Sequence, residues 1–218
     1  MNEMIARTVS FGVTGVTGYP VTVEVFSAGG LPGLEIIGLP DASVRESRER
    51  VNAAIINAGR RIPPKKITVN LAPADIRKEG PSFDLPIAVG MLLANGQLNL
   101  ASGIQPEKIV FFGELGLDGS VNAVNGALSI VISASENGFQ DVIMPADNAM
   151  EVACIEGMRI YPVSHLSQVI DYLEGRVPIE PQAQMRYDEL LRQKEVRADL
   201  SQVKGQQGAR RALELAAA

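Results

Sequence analysis

Tryptophan is absent from the 218 residues, and there is a single cysteine, Cys154, and a single histidine, His165. One cysteine excludes a disulfide framework and fits a reducing compartment. One histidine beside it leaves almost no soft donors for a structural zinc site. No run reaches 18 consecutive apolar residues, so no segment is expected to cross a membrane. The opening stretch MNEMIARTVSFGV lacks the basic start and long apolar core of a signal peptide. These absences set the expectation of a cytoplasmic chain with no membrane partner.

What is present is enough to fold. The sequence is 46% hydrophobic and 21% charged, which supports a sizeable core and excludes a disordered chain. The net charge of −5 argues against a generic basic nucleic-acid coat, but its distribution is uneven. From Arg45 to Lys78, nine basic residues stand against three acidic ones, so this segment carries +6 and the remainder −11. A local patch of that kind can meet phosphate. It is also what the solvated face of a helix followed by a basic loop looks like.

Hydrophobic periodicity divides the chain into elements. TVSFGV, VTVEVFSA and LEIIGLP read as strands, the first two joined by a hairpin across GVTGVTGYP. That glycine repeat does not end in Gly-Lys-Ser or Gly-Lys-Thr, so it is no phosphate-binding loop. Residues 41–58 predict a helix with Val44, Val51, Ile55 and Ala58 on one stripe and Arg and Glu opposite. Asp41 or Ser43 is its expected cap, Ser43 with Glu46 fitting a capping box, and Gly59 marks its end. KKITVNLAP is the next strand. After the loop ADIRKEGPS a helix is expected from Phe83 to about Ala94. KIVFFGELGLDGSV gives a strand, a turn at Asp118-Gly119 and a return strand. Then come a helix near 126–137, the strand DVIMP, the helix ADNAMEVACIEG, the strand RIYPV and a helix capped by Ser164 that ends at Gly175. The alternation predicts a mixed α/β sandwich with some parallel pairing. Beyond Gly175 the texture turns polar, with a short helix expected over 187–194 and a further helix beginning near residue 201. The expected organisation is a domain at 1–175, a linker at 176–200, and a new unit at 201–218 whose unfinished apolar face reads as an interruption.

Ser82 is the candidate nucleophile, in RKEGPSFDLPIAVGMLL. A serine needs a base within reach and donors for an oxyanion. The only histidine is far away in sequence. Lys78, four residues earlier, sits in what reads as an exposed loop, where a lowered amine pKa is hard to produce. The alternative is structural: a Gly-Pro-Ser turn with an N-cap hydroxyl, and Asp84 favourable in the first helical turn. Other residues read as structure. Cys154 is expected in the core, His165 exposed or locally hydrogen-bonded, and Met91, Met144 and Met158 as core filler. Asp75, Glu79, Asp84 and Glu114 form a carboxylate set that a folded loop can bring together around a divalent ion.

KEGPSFDLPIAVGMLL resembles the serine motif of the Lon protease domain, Lys-Asp-Gly-Pro-Ser-Ala-Gly. GELGLDGSVNAVNGALSIVISASENGFQDVIMPADN resembles the Lon block that carries the catalytic lysine. Matching Gly113-Glu114 and Gly119 to that block places Ile130 at the lysine position. The resemblance therefore implies the Lon-protease-like, ribosomal protein S5 domain 2-like fold, an α/β (α+β) mixed sheet with packed helices, without peptidase chemistry. Over nearly the whole chain, PGLEIIGLPDASVRESRERVNAAI, ITVNLAPADIRKEGPSFDLPIA, FFGELGLDGSV and DLSQVKGQQGARRALELAAA are similar to magnesium-chelatase-like AAA+ ATPases of the ComM/YifB type. That resemblance implies hexameric ATPases that promote DNA branch migration during natural transformation. ATP and magnesium are implied for the full-length protein, with no cofactor or metal site in these residues and the hexamer held by the ATPase module. DNA contacts, if made here, are expected from Arg45, Arg48, Arg60, Arg61, Lys65 and Lys66. Only Phe83 offers a nearby ring for base stacking. A different class of function is equally compatible: an interaction and assembly domain that never touches nucleic acid.

Overall fold

The computed structural model describes residues 4–189 and 200–217. Its contacts divide the chain into two compact units, Met1–Gln184 and Met185–Ala218.

The first unit is built on a seven-stranded sheet. In chain order the strands are β1 (Met4–Thr14), β2 (Thr17–Ala28), β3 (Gly33–Ile37), β4 (Lys66–Ala72), β5 (Ile109–Phe111), β8 (Asp141–Pro145) and β9 (Arg159–Val163). Their spatial order is β3-β4-β2-β1-β5-β8-β9, with the pair β6 (Glu114–Leu115) and β7 (Val121–Asn122) set apart. β1, β2 and β4 pair antiparallel, while β3 with β4, β1 with β5, β5 with β8 and β8 with β9 are parallel. The long β1/β2 hairpin supplies the antiparallel half. The later parallel strands need helical crossovers, which the alternating second half of the sequence provides.

Five helices complete the unit: α1 (Ala42–Asn57), α2 (Asp84–Ala94), α3 (Ala127–Glu136), α4 (Ala146–Val152) and α5 (Leu166–Leu173). In β2 the alternation of Val21, Val23 and Val25 with Thr22, Glu24 and Phe26 decides the faces. The three valines join Ile67, Val69 and Leu71 of β4 beneath α1, α2 and α5. On the other side, α3 and α4 close a second cluster around Phe11, Val110, Phe112 and Met144. α3 also covers the Gly18 end of β2, while Thr22, Glu24, Thr68 and Asn70 farther along that face are half-buried. α2 is apolar nearly all round because it lies under the sheet, with every residue from Asp84 to Leu92 buried.

In the second unit a 3₁₀ turn at Leu200–Gln202 precedes helix α6 (Gln207–Ala217), none of whose side chains is buried. The helix expected over 187–194 lies mostly outside the described residues. Among the described residues no helix is long and apolar enough to cross a membrane.

Candidate functional site

The serine turn is assembled from three loops that exchange backbone hydrogen bonds. Lys78 N–H donates to Leu39 O at 3.1 Å and Asp41 N–H to Lys78 O at 3.0 Å. Asp41 then uses both carboxylate oxygens: Oδ1 accepts from Val44 N–H at 2.8 Å and caps α1, and Oδ2 accepts from Gly80 N–H at 3.2 Å. Gly80 has φ 81°, a left-handed value that a side chain disfavours, and it turns the chain into a 3₁₀ turn at Pro81–Phe83. Ser82 lies inside that turn. Its carbonyl accepts from Gly113 N–H at 2.9 Å, and Leu85 N–H returns a bond to Gly113 O at 3.1 Å.

This geometry corrects the expected capping. The Ser82 hydroxyl caps nothing, because α2 grows out of the 3₁₀ turn with Phe83 at the cap position and no side-chain cap bond. In α1 the cap is Asp41, not Ser43. In α5 it is His165 rather than Ser164: His165 Nδ1 accepts from Ser167 N–H at 3.1 Å, and Gln168 Oε1 accepts from His165 N–H at 3.1 Å. With Nδ1 accepting, Nε2–H is the donor that reaches Asp118 O at 3.0 Å, so the histidine ties α5 to the β6–β7 turn.

Lys78 is the largest departure from the sequence reading. The loop that reads as exposed wraps inward, and the lysine is fully buried. Its Nζ donates to Ile76 O at 2.8 Å. Burial pushes the amine below its ordinary value, with Asp75 pulling weakly the other way. No hydrogen bond joins Nζ to Ser82 among the described residues, so the two do not form a working dyad. The residue at the Lon lysine position, Ile130, is 1% exposed and packs in the second apolar cluster with Phe11, Val131 and Met144.

The four carboxylates do not form one ligand group among the described residues, although Glu114 lies near enough to Asp84 to help raise its pKa. Asp84 is buried and spoken for: Arg50 Nε and Nη2 donate to it at 2.7 and 3.1 Å, and Leu115 N–H adds a third bond at 3.2 Å. Burial nevertheless pushes its pKa up to about 6, against the pull of Arg50. Asp84 therefore joins α1, α2 and β6, a larger role than first-turn charge. Glu79 faces Arg77 at 3.6 Å, and Asp75 is exposed. Among the described residues no group of three or more metal-type ligands exists. Cys154, expected in the core, is half-buried.

Of the six basic candidates the fold brings four, Arg45, Arg48, Lys65 and Lys66, to clefts beside β3. Arg60 is committed to Glu174, Nη2 to Oε2 at 2.7 Å, and Glu174 is 7% exposed on its side chain. Arg48 Nη1 donates to Leu34 O at 3.3 Å. Arg45, Arg61 and Lys66 are exposed and Lys65 is half-buried, none of them in an ion pair among the described residues. Arg45, Arg48, Lys65 and Lys66 border clefts along β3, but Glu35, Glu46 and Glu49 line the same clefts. The +6 of the segment is therefore not one basic surface.

The sequence comparisons agree with this architecture. The family model for subunit ChlI of Mg-chelatase matches residues 23–148, from β2 through the start of α4. This chain belongs to that family. Among curated relatives, the uncharacterized protein YifB of Salmonella typhimurium is 43% identical over 205 residues, covering 94% of this chain and 39% of its own length. The competence protein ComM of Haemophilus influenzae is 38% identical over 210 residues, 94% of this chain and 40% of ComM. The Lon protease of Brevibacillus choshinensis is 29% identical over 119 residues, 52% of this chain and 14% of that enzyme. The chain thus spans about two fifths of the length of its ChlI-type relatives. The mixed sheet with helices on both faces is consistent with a ChlI/Lon-like α/β domain.

Proposed function

We propose that this ChlI-family chain is the Lon-like, non-peptidase part of a hexameric AAA+ ATPase that promotes DNA branch migration in natural transformation, and that its own work is protein contact. The likeness to a competence protein supports the first half. The second half is carried by one observation: along β3 and α1, exposed bases and exposed acids are mixed. Glu35, Glu46 and Glu49 stand among Arg45 and Arg48, with the half-buried Lys65 beside them. A phosphate backbone wants one sign of charge, whereas a protein surface can answer both. Peptidase chemistry is not part of the reading, because Ile130 offers no base and Lys78 is turned to Ile76 O. ATP and magnesium belong to other parts of the longer protein.

Direct DNA contact is the second reading, favoured by the exposure of Arg45, Arg61 and Lys66. Fluorescence anisotropy of labelled single-stranded and duplex DNA with the chain, from 20 to 200 mM salt, separates the two. The expected result is no binding at the lowest salt. Micromolar binding that collapses with salt, and weakens further in a triple Arg45, Arg61 and Lys66 to Gln variant, overturns the protein-contact assignment.

A further inference from the structure

Strand β3 forms one edge of the seven-stranded sheet, with β4 as its sole neighbour. Gly33 N–H donates to Lys65 O at 3.2 Å, so residues 33, 35 and 37 aim their backbone groups at β4. By the alternation of a strand, Leu34 and Ile36 aim theirs outward. The Leu34 carbonyl confirms the direction, because it is the one that Arg48 reaches from α1. That bond is long at 3.3 Å and comes from an exposed side chain, so it is readily exchanged. The outward N–H groups of Leu34 and Ile36 have no partner among the described residues, which leaves a template for one more strand.

Clefts run beside this edge. One of ≈ 340 Å³ lies at the Gly33 end, floored by Ile62, Ile67 and Met91 and rimmed by Arg48, Lys65 and Glu49. The next, of ≈ 710 Å³, shares Leu34, Arg48 and Glu49 with the first and continues past Ile36, where Glu35, Glu46 and Arg45 join. The first cleft has an excess of one base over acid and the second an excess of one acid over base. Charge along the groove is therefore polar, positive beside Gly33 and negative beside Ile36. Arg45, Glu46, Glu49 and Lys65 make no ion pair among the described residues, although they share the groove.

We infer that β3 accepts an extended polypeptide segment of a partner protein as an eighth strand, with a carboxylate at the Arg48/Lys65 end, a cation at the Glu35/Glu46 end and apolar side chains between, facing α1. Main-chain bonds to Leu34 and Ile36 supply the docking, and the apolar cleft with its two charged ends supplies orientation. The inference rests on the protein-contact reading given above and names where that contact is made. Nucleic acid fits the groove poorly, since half of its charges repel phosphate.

The test is selection of random twelve-residue peptides displayed on phage against the 218-residue chain. The enriched peptides should carry apolar residues at alternate positions between an acid and a base, and the best of them, made synthetically, should lose at least tenfold in affinity to Leu34→Pro. That substitution removes an outward donor and no ladder bond; its folding is checked by the thermal midpoint. Where Leu34→Pro is unstable, Arg48→Glu with Lys65→Glu replaces it: the selected peptide loses at least tenfold, and a peptide with its acidic end made basic regains it. Enrichment of peptides insensitive to both variants overturns the β3 site while leaving the protein-contact reading standing. Self-association of the chain that Leu34→Pro abolishes overturns the assignment to a foreign segment. Failure to enrich any peptide, together with direct binding of labelled duplex DNA at low salt, overturns both readings at once.

Discussion

Asp84, in the first turn of α2, and Glu46, in the second turn of α1, are both acidic, and the fold treats them in opposite ways. Asp84 is buried, takes two bonds from Arg50 and one from Leu115 N–H, and fastens three elements. Its neighbours in the serine turn behave alike: Asp41 holds Val44 and Gly80, and Lys78 is swallowed whole. Glu46 stands in solvent with Arg45, Arg48 and Glu49 around it, and no ion pair among the described residues fixes it. In the region that looks like a catalytic motif, charge is spent on architecture. In the region that looks like an ordinary helix surface, charge is left over for something else. A serine motif is therefore a weaker guide to activity here than the set of charges the fold does not use.

The comparison breaks most visibly at Arg50. Arg50→Ala leaves the Asp84 carboxylate buried without its partner, and a loss of about 3–5 kcal/mol is expected in urea unfolding. Arg45→Ala on the same helix should change stability by less than about 0.5 kcal/mol. Next in size is Gly38→Ala, at the turn after β3. The added Cβ would lie 2.2 Å from Leu71 O at φ 98°, and a cost of about 2–3 kcal/mol follows from strain and displaced backbone.

Two smaller effects carry opposite signs with pH. Asp84 has its folded pKa raised to about 6, so the folded state holds a proton that the unfolded state has released. The stability this group contributes is full below its ordinary value of 3.8 and is lost as pH rises through about 6. The unfolding midpoint should therefore climb between pH 7 and pH 5, and the slope should flatten in Asp84→Asn. Lys78 is the mirror case, with its folded pKa lowered. Between that lowered value and 10.5 the unfolded state binds the extra proton, so stability rises as pH rises through this window. Lys78→Met should remove the alkaline gain and stabilise the chain by about 1 kcal/mol at neutral pH, since an apolar group replaces a buried amine. The smallest effect is Ser82→Ala: stability should stay within about 0.5 kcal/mol, and a fluorophosphonate probe should label neither protein.

Much of the fold was legible because it rests on local periodicity. The strand alternation of VTVEV, the stripe Val44–Val51–Ile55 and the apolar block that became α2 each announce the face they bury. Ile130 reads as a core residue from its apolar setting, and the structure buries it. The caps were harder. Asp41 and Ser43 are both good N-cap residues, and the choice fell to Asp41 because its second oxygen is needed by Gly80, 39 residues away. Ser164 is a better cap than histidine by propensity. His165 takes the position because its ring must also reach Asp118 O. The +6 segment could not be resolved from sequence for a related reason: sequence sums charge along the chain, while the fold sends Arg50 to Asp84 and Arg60 to Glu174 and sets the others beside acids.

The sequence by itself determined most of the elements and the kinship of the chain. Those properties follow from residue identity and from spacing within a few turns, where period and propensity act. Tertiary structure alone decided that Lys78 is inside, that Asp84 is paired, and that β3 lies at an edge whose Leu34 and Ile36 N–H groups have no partner among the described residues. Each of these depends on which distant segments meet, since burial and pairing are properties of neighbours in space that a one-dimensional pattern does not contain.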